Sequence, residues 1–303
     1  MKLITILVSI CTLFIQGCGG NEGAAPINVT DWHVVSPAPT NEHLVGAAFG
    51  QGKYVAVGFN GATLASVDGS SWTTQPPVTT GVLWNVTYGG GIFAAAGFNG
   101  TIIISSDGNN WTNLNLDAIG AIGPVLDIAY GDGKFVAVSG FGPISTSVDG
   151  VSWSSQTSAT NDALISVAYG RGTFISVGSS GAVITSPDAI NWTKQQSGTT
   201  NQLNKVCYGN DQYVAVGNQG TILTSSDTLT WTAQESKTTE ALYGVTYGGG
   251  YYIAAGNDGV ILTSPDGKQW TSRSSGTVSN LRSIVVRDRA ILIVGSSGTV
   301  VKN

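Results

Sequence analysis

A tryptophan returns about every 40 residues along the chain, at Trp32, Trp72, Trp111, Trp153, Trp192, Trp231 and Trp270. The intervals are 40, 39, 42, 39, 39 and 39 residues. A fixed period of this size marks one supersecondary unit copied and stacked, because a single copy cannot bury its own apolar face.

One copy, residues 203–234, reads LNKVCYGNDQYVAVGNQGTILTSSDTLTWTAQ. It divides into short runs at 203–208, 213–217, 221–225 and 231–234, punctuated by Gly, Asn, Asp and Gln. Four such runs make a small antiparallel meander. None has the 3.6-residue spacing of an amphipathic helix. In the first run large residues (Val206, Tyr208) alternate with a small one (Cys207), and Val245 and Tyr247 flank Thr246 in the next copy. Successive strand side chains point to opposite faces. A sheet with one bulky and one small apolar face nests against an identical neighbour, which is how blades pack around an axis.

First strands begin at Leu44, Leu83, Val125, Leu164, Leu203, Leu242 and Leu281. Six are followed by a complete unit, whereas the seventh reaches Asn303 after three strands. The missing strand lies at the other end, in residues 29–35 around Asp31 and Trp32. The expected fold is therefore all-β: a seven-bladed β-propeller of four-stranded antiparallel blades, closed by an N-terminal strand pairing with the last blade. Closure removes exposed sheet edges.

Each Trp after the first ends a motif: SVDGSSW (66–72), SSDGNNW (105–111), SVDGVSW (147–153), SPDAINW (186–192), SSDTLTW (225–231) and SPDGKQW (264–270). The shared Ser-x-Asp-(Gly)-x-x-Trp resembles the Asp-box of BNR-type repeats, found in sialidases, sortilin-like receptors and photosystem II assembly factors. It is one residue shorter than that family's usual box. The resemblance covers residues 29–303 and implies a propeller. Asp68, Asp107, Asp149, Asp188, Asp227 and Asp266 are expected to be structural, since an Asp two residues after Ser at a hairpin accepts backbone N–H bonds. Each lies in a different unit, so no two form a local acid–base dyad, and no calcium-loop spacing occurs.

The N-terminus divides differently. Lys2 and the apolar residues 3–15 read as a signal peptide (1–17). Ile15-Gln16-Gly17-Cys18 resembles a bacterial lipobox, with Cys18 as the lipidated residue. Residues 18–28 read as a flexible, lipid-anchored linker, followed by the propeller at 29–303. Cys11 would leave with the signal and Cys18 would carry lipid, leaving Cys207 as a small buried hydrophobe. Gly19 after Cys18, by resemblance to Gram-negative lipoproteins, implies the outer membrane. The expected location is the bacterial cell envelope, facing the periplasm or the cell surface.

The charge pattern narrows the partners. Only 10% of residues are charged and the net charge is −5. Nucleic-acid binding needs a basic stripe, which is missing. There is no HExxH, CxxC or GxSxG, and glycine runs such as Gly89-Gly90-Gly91 fall in hairpin turns and open no helix. Sialidases hold their substrate carboxylate with arginines from separate blades; here four of five arginines (Arg273, Arg282, Arg287, Arg289, against Arg171) cluster in or beside the last unit. No enzyme activity, no cofactor and no metal are expected.

What remains is a surface. Turns between second and third strands share one rim with the blade-to-blade connectors, and the Asp-boxes occupy the other. On the connector rim the candidate binding residues are Phe59, Phe98 and Phe141, with Trp84, Tyr243 and Arg282 at the start of first strands. Such rings stack sugars, anchor proteins, or cover the blade interior. The expected function is a non-enzymatic, envelope-anchored binding or scaffold propeller for an unknown envelope protein. The alternative is a glycan-binding module or a degenerate relative of Asp-box glycosidases.

Overall fold

A computed structural model describes residues 27–114, 123–140 and 143–303. These residues form seven four-stranded antiparallel sheets. Blade 5 illustrates the plan: Leu203–Gly209, Gln212–Gly217, Ile222–Ser225 and Thr232–Gln234, each strand paired with the one before. The first strands of neighbouring blades touch, so they line the axis. They are Leu44–Gly50, Leu83–Gly89, Val125–Gly131, Leu164–Gly170, Leu203–Gly209, Leu242–Gly248 and Leu281–Arg287, starting where the sequence places them. Among the described residues, helical structure is confined to single 3-10 turns such as Asn218–Gly220 between second and third strands.

The last blade is completed by the N-terminus. His33–Val34 pairs with Val300–Lys302 in the register His33↔Lys302 and Val34↔Val301. The Val35 N–H extends this by donating to Val300 O at 2.8 Å. Trp32 Nε1 donates to Val29 O at 3.0 Å, the bond that Trp72, Trp153, Trp192, Trp231 and Trp270 make to the residue three before. The N-terminal strand is thus the outer strand of a standard blade, moved to the far end of the chain. Ile27, placed in the linker by its sequence, is buried and donates its N–H to Gly249 O. The signal (1–17), Cys18 and the rest of the linker up to residue 26 lie outside the described residues.

The core is seven apolar layers between blades. One joins Cys207, Val214 and Val216 of blade 5 to Leu242, Val245 and Tyr252 of blade 6. Cys207 is fully buried there. Near the axis blades 1 to 5 end their first strands on a glycine, against which the next blade lays a tyrosine ring. A Cβ at Gly131 would sit 2.2 Å from the Tyr169 ring, so no larger residue fits. Burial pushes the Tyr213 hydroxyl up to about 12; it donates to Gly170 O of the preceding blade at 2.5 Å.

Candidate functional site

The Asp-boxes form one rim, and their bonding is internal. Asp149 Oδ1 accepts the Ser147 hydroxyl at 2.9 Å and the N–H groups of Val151 and Ser152 at 2.8 Å, while Ser147 Oγ accepts the Gly150 N–H. The two backbone N–H bonds to the carboxylate recur at Asp68, Asp107, Asp188, Asp227 and Asp266. Backbone N–H donation from Ser71 and then Ser70 lowers the Asp68 carboxyl to about 2. Asp107, Asp149 and Asp188 are held below the ordinary carboxylate range for the same reason. One oxygen of each carboxylate is committed to its own turn. Among the described residues no group of three or more His, Cys, Asp or Glu is placed to hold a metal ion.

A second arrangement lies on the axis. Gly46, Asn85, Asp127, Ser166, Lys205, Gly244 and Ser283 share one position of the first strand. Asp127, 1% exposed, gathers donors from four blades. Its Oδ2 accepts Lys205 Nζ at 2.8 Å and the Val167 N–H at 2.9 Å. Its Oδ1 accepts the Ile128 N–H and the Asn85 side-chain amide. With those donors in place the buried charge is compensated rather than reactive.

The third arrangement is the mouth of the axis on the connector rim. In every first strand the pairing skips the second residue: Val45, Trp84, Leu126, Ile165, Asn204, Tyr243 or Arg282. A β-bulge re-aims the extra side chain and is common beside functional sites. Here it carries seven side chains around one opening, an apolar arc from Val45 to Ile165 followed by Asn204, Tyr243 and Arg282. All but Asn204 are half-buried. Phe59 meets Trp84 edge-on with ring centroids 6.0 Å apart, and His43 meets Phe59 at 5.0 Å. Arg282 lies over the Tyr243 ring, 3.9 Å from its centroid, a cation–π contact.

The candidates from sequence are therefore divided. Phe59 and Trp84 form one cluster, with His43, to which sequence reasoning assigned no role. Tyr243 and Arg282 form a separate pair. Phe98 stands alone and is 50% exposed. Phe141 lies outside the described residues. Val45, Leu126 and Ile165 were missed; the only sequence signal was their alignment with Trp84. The Trp84 indole N–H is buried and has no hydrogen-bond partner among the described residues. The arginines do not converge: Arg282 is at the mouth, whereas Arg287 and Arg289 flank a hairpin on the Asp-box rim.

Four-stranded blades, seven in number, with a bulge-lined mouth and turn-bound box carboxylates define an Asp-box propeller. The chain belongs to the family described as photosynthesis system II assembly factor YCF48, which it matches over residues 25–303. Solved structures similar to it include YCF48 from Cyanidioschyzon merolae, 21% identical, covering 89% of this chain and 98% of that one with a TM-score of 0.73. YCF48 bound to D1 peptide is 19% identical, over 92% and 97%, with a TM-score of 0.75. A virginiamycin B lyase from Staphylococcus aureus is 13% identical, over 90% and 98%, with a TM-score of 0.78. At these identities the likeness is one of fold, and the lyase illustrates that the fold also hosts enzymes. No curated protein matches the chain.

Proposed function

We propose that this chain is a non-catalytic binding propeller, anchored in the bacterial envelope through lipid on Cys18, which holds a segment of a partner protein at the connector-side mouth. The observation that carries the reading is the bulge-built ring: an apolar arc from Val45 to Ile165, with Phe59 packed on its Trp84 and an exposed Phe98 on the same rim. Exposed aromatic and apolar surface next to an arginine is what protein contacts favour. The family points the same way, since one relative was solved with a D1 peptide bound. No residue cluster described above combines a nucleophile, a base and a place for substrate.

The test is cross-linking of the envelope-anchored protein in its own cells, comparing wild type with Phe59→Ser/Phe98→Ser. Later blades carry Ser or Asn at the aligned positions (Ser179, Asn218, Asn257, Ser296), so the variant should fold. Loss of one discrete protein adduct at unchanged melting temperature supports the reading. Unchanged adducts would remove the mouth from consideration, and retention on a glycan array that the variant loses would favour a sugar ligand.

A further inference from the structure

The Asp-box rim breaks its repeat at one seam, between blades 7 and 1. In blade 7 the hairpin joining first and second strands reads Arg287-Asp288-Arg289. At the position of Arg287 the other six blades carry Gly50, Gly89, Gly131, Gly170, Gly209 and Gly248. At that of Arg289, blade 5 carries Asp211 and the rest carry glycine. Lys302 stands where blades 3 to 6 have Thr146, Thr185, Thr224 and Thr263. These three cations surround one cavity of about 450 Å³, within the size range of ligand sites. Positions that break a repeat's own rule are where function is expected.

The partners of each cation decide what the cavity can hold. Arg287 lies over the Phe49 ring, 5.0 Å from its centroid. It pairs at 3.1 Å with Asp288, the one acidic side chain that lines the cavity. Lys302 Nζ donates to Asp68 O at 2.8 Å and to Ser70 Oγ at 2.9 Å, which leaves one of the three ammonium protons. Arg289 is exposed and makes no ion pair with a described residue. Neither Arg289 nor Lys302 is therefore matched by a carboxylate. Tyr54, 6% exposed, lines the same cavity. The aligned Tyr213 and Tyr252 hydroxyls donate to Gly170 O and Gly209 O of the preceding blade. The Tyr54 hydroxyl makes no hydrogen bond with a described residue. Burial raises its pKa and Asp288 adds to this, so it stays a protonated donor. Phe49 and Val67 supply an apolar wall.

We propose that this cavity binds the phosphate of an anionic phospholipid between Arg289, Lys302 and the Tyr54 hydroxyl, with the first acyl carbons over Phe49 and Val67. Guanidinium, ammonium and hydroxyl donors beside an aromatic wall match a phosphate ester that carries an apolar part. The choice of a membrane lipid rests on the anchor reading of Cys18. Asn303, in the cavity wall, donates its side-chain amide to Asn28 O at 2.7 Å. Asn28 is ten residues from Cys18, at most about 35 Å of chain. The cavity lies on the rim opposite Phe59 and Trp84, so it and the mouth stand or fall independently.

The experiment titrates the full chain calorimetrically with soluble probes. They are dihexanoyl-phosphatidylglycerol below its micelle concentration, glycerol 3-phosphate, and the acidic peptide acetyl-Leu-Asp-Leu-amide. The lipid is expected to bind, and glycerol 3-phosphate to bind at least about tenfold more weakly, because it has no acyl carbons to bury. Arg289→Gly and Lys302→Thr copy other blades and should each weaken lipid binding about tenfold, the scale of a charged hydrogen bond. Tyr54→Phe should weaken it about threefold, the scale of a neutral one. All three should keep the wild-type melting temperature; Arg289→Gln serves if the glycine variant fails to fold. Phe59→Ser/Phe98→Ser should leave the titration unchanged. The probes are soluble, so loss of the Cys18 anchor in a fractionation experiment would leave this result standing. Lipid binding that survives Arg289→Gly/Lys302→Thr, or no binding at millimolar lipid, would overturn the proposal. Equal binding of glycerol 3-phosphate would overturn it in favour of a soluble phosphate ester, and tighter binding of the peptide in favour of a protein carboxylate.

Discussion

Lys205 Nζ lies 2.8 Å from Asp127 Oδ2, although the two residues are 78 positions apart and belong to blades 5 and 3. The bond spans the axis past blade 4, whose Val167 N–H donates to the same oxygen. Asp127 therefore couples blades 2 to 5 through one carboxylate, on the side of the axis opposite Gly46 and Gly244.

That coupling is expected to show in stability. Asp127→Ala strands the Lys205 charge and three further donors, and should cost about 3–5 kcal/mol. Lys205→Met should cost less, about 1–2 kcal/mol, because its ammonium is partly exposed and Asp127 keeps neutral donors. Urea unfolding of both single variants and the double variant measures the coupling. Additive losses would show that the bond contributes nothing of its own.

Ring closure depends on the first strand. Deleting residues 27–35 removes the partner of Val300–Lys302 and uncovers the core layer that Ile27 and Val29 complete with Ile253 and Ile293. The loss should be at least that of Trp270→Ala, a 2% exposed ring in the adjoining layer whose removal should cost about 3–5 kcal/mol. Thermal unfolding compares them. A deletion with the wild-type melting temperature would mean that the last blade stands on three strands.

The box carboxylates should make stability acid-sensitive. Asp68 sits at about 2 in the fold, against about 3.9 for an unfolded Asp. A lowered value means the stabilisation is present above about pH 4 and disappears as pH falls through 2. Asp107 belongs to the same set. Asp107→Ala should cost about 1 kcal/mol at pH 7, as for a lost capping acceptor, and the gap from wild type should shrink toward pH 2. A constant gap from pH 7 to 2 would show that ionisation of the carboxylate is irrelevant.

Cys18→Ser tests the anchor. Lipid stabilises membrane attachment by about 0.8 kcal/mol for each buried CH₂, so two chains or more hold a protein firmly. The variant should leave the membrane fraction or accumulate unprocessed. Fractionation like wild type would place the anchor elsewhere.

The first described residue, Ile27, meets the Asp-box rim beside Gly249, on the face opposite Phe59 and Trp84.

The repeat itself was readable from the sequence because its signals are local. Trp spacing, Ser-x-Asp turns and alternating apolar residues each act within one blade, and a strand lacking at one end and present at the other implies closure. The pairing of Asp127 with Lys205 was not readable, because their aligned partners are Gly46, Asn85, Ser166, Gly244 and Ser283, which have no common chemistry. Only curvature of the ring brings them within a hydrogen bond. The mouth is similar: Trp84, Tyr243 and Arg282 stood out as variable residues, but the bulge that turns them and Val45, Leu126 and Ile165 around one opening is a pairing irregularity, invisible until two strands are in register. The bridges from Lys194 to Asp162 and from Asn113 to Val78 O were equally hidden, because they exist only where the fold sets connector and outer strand side by side.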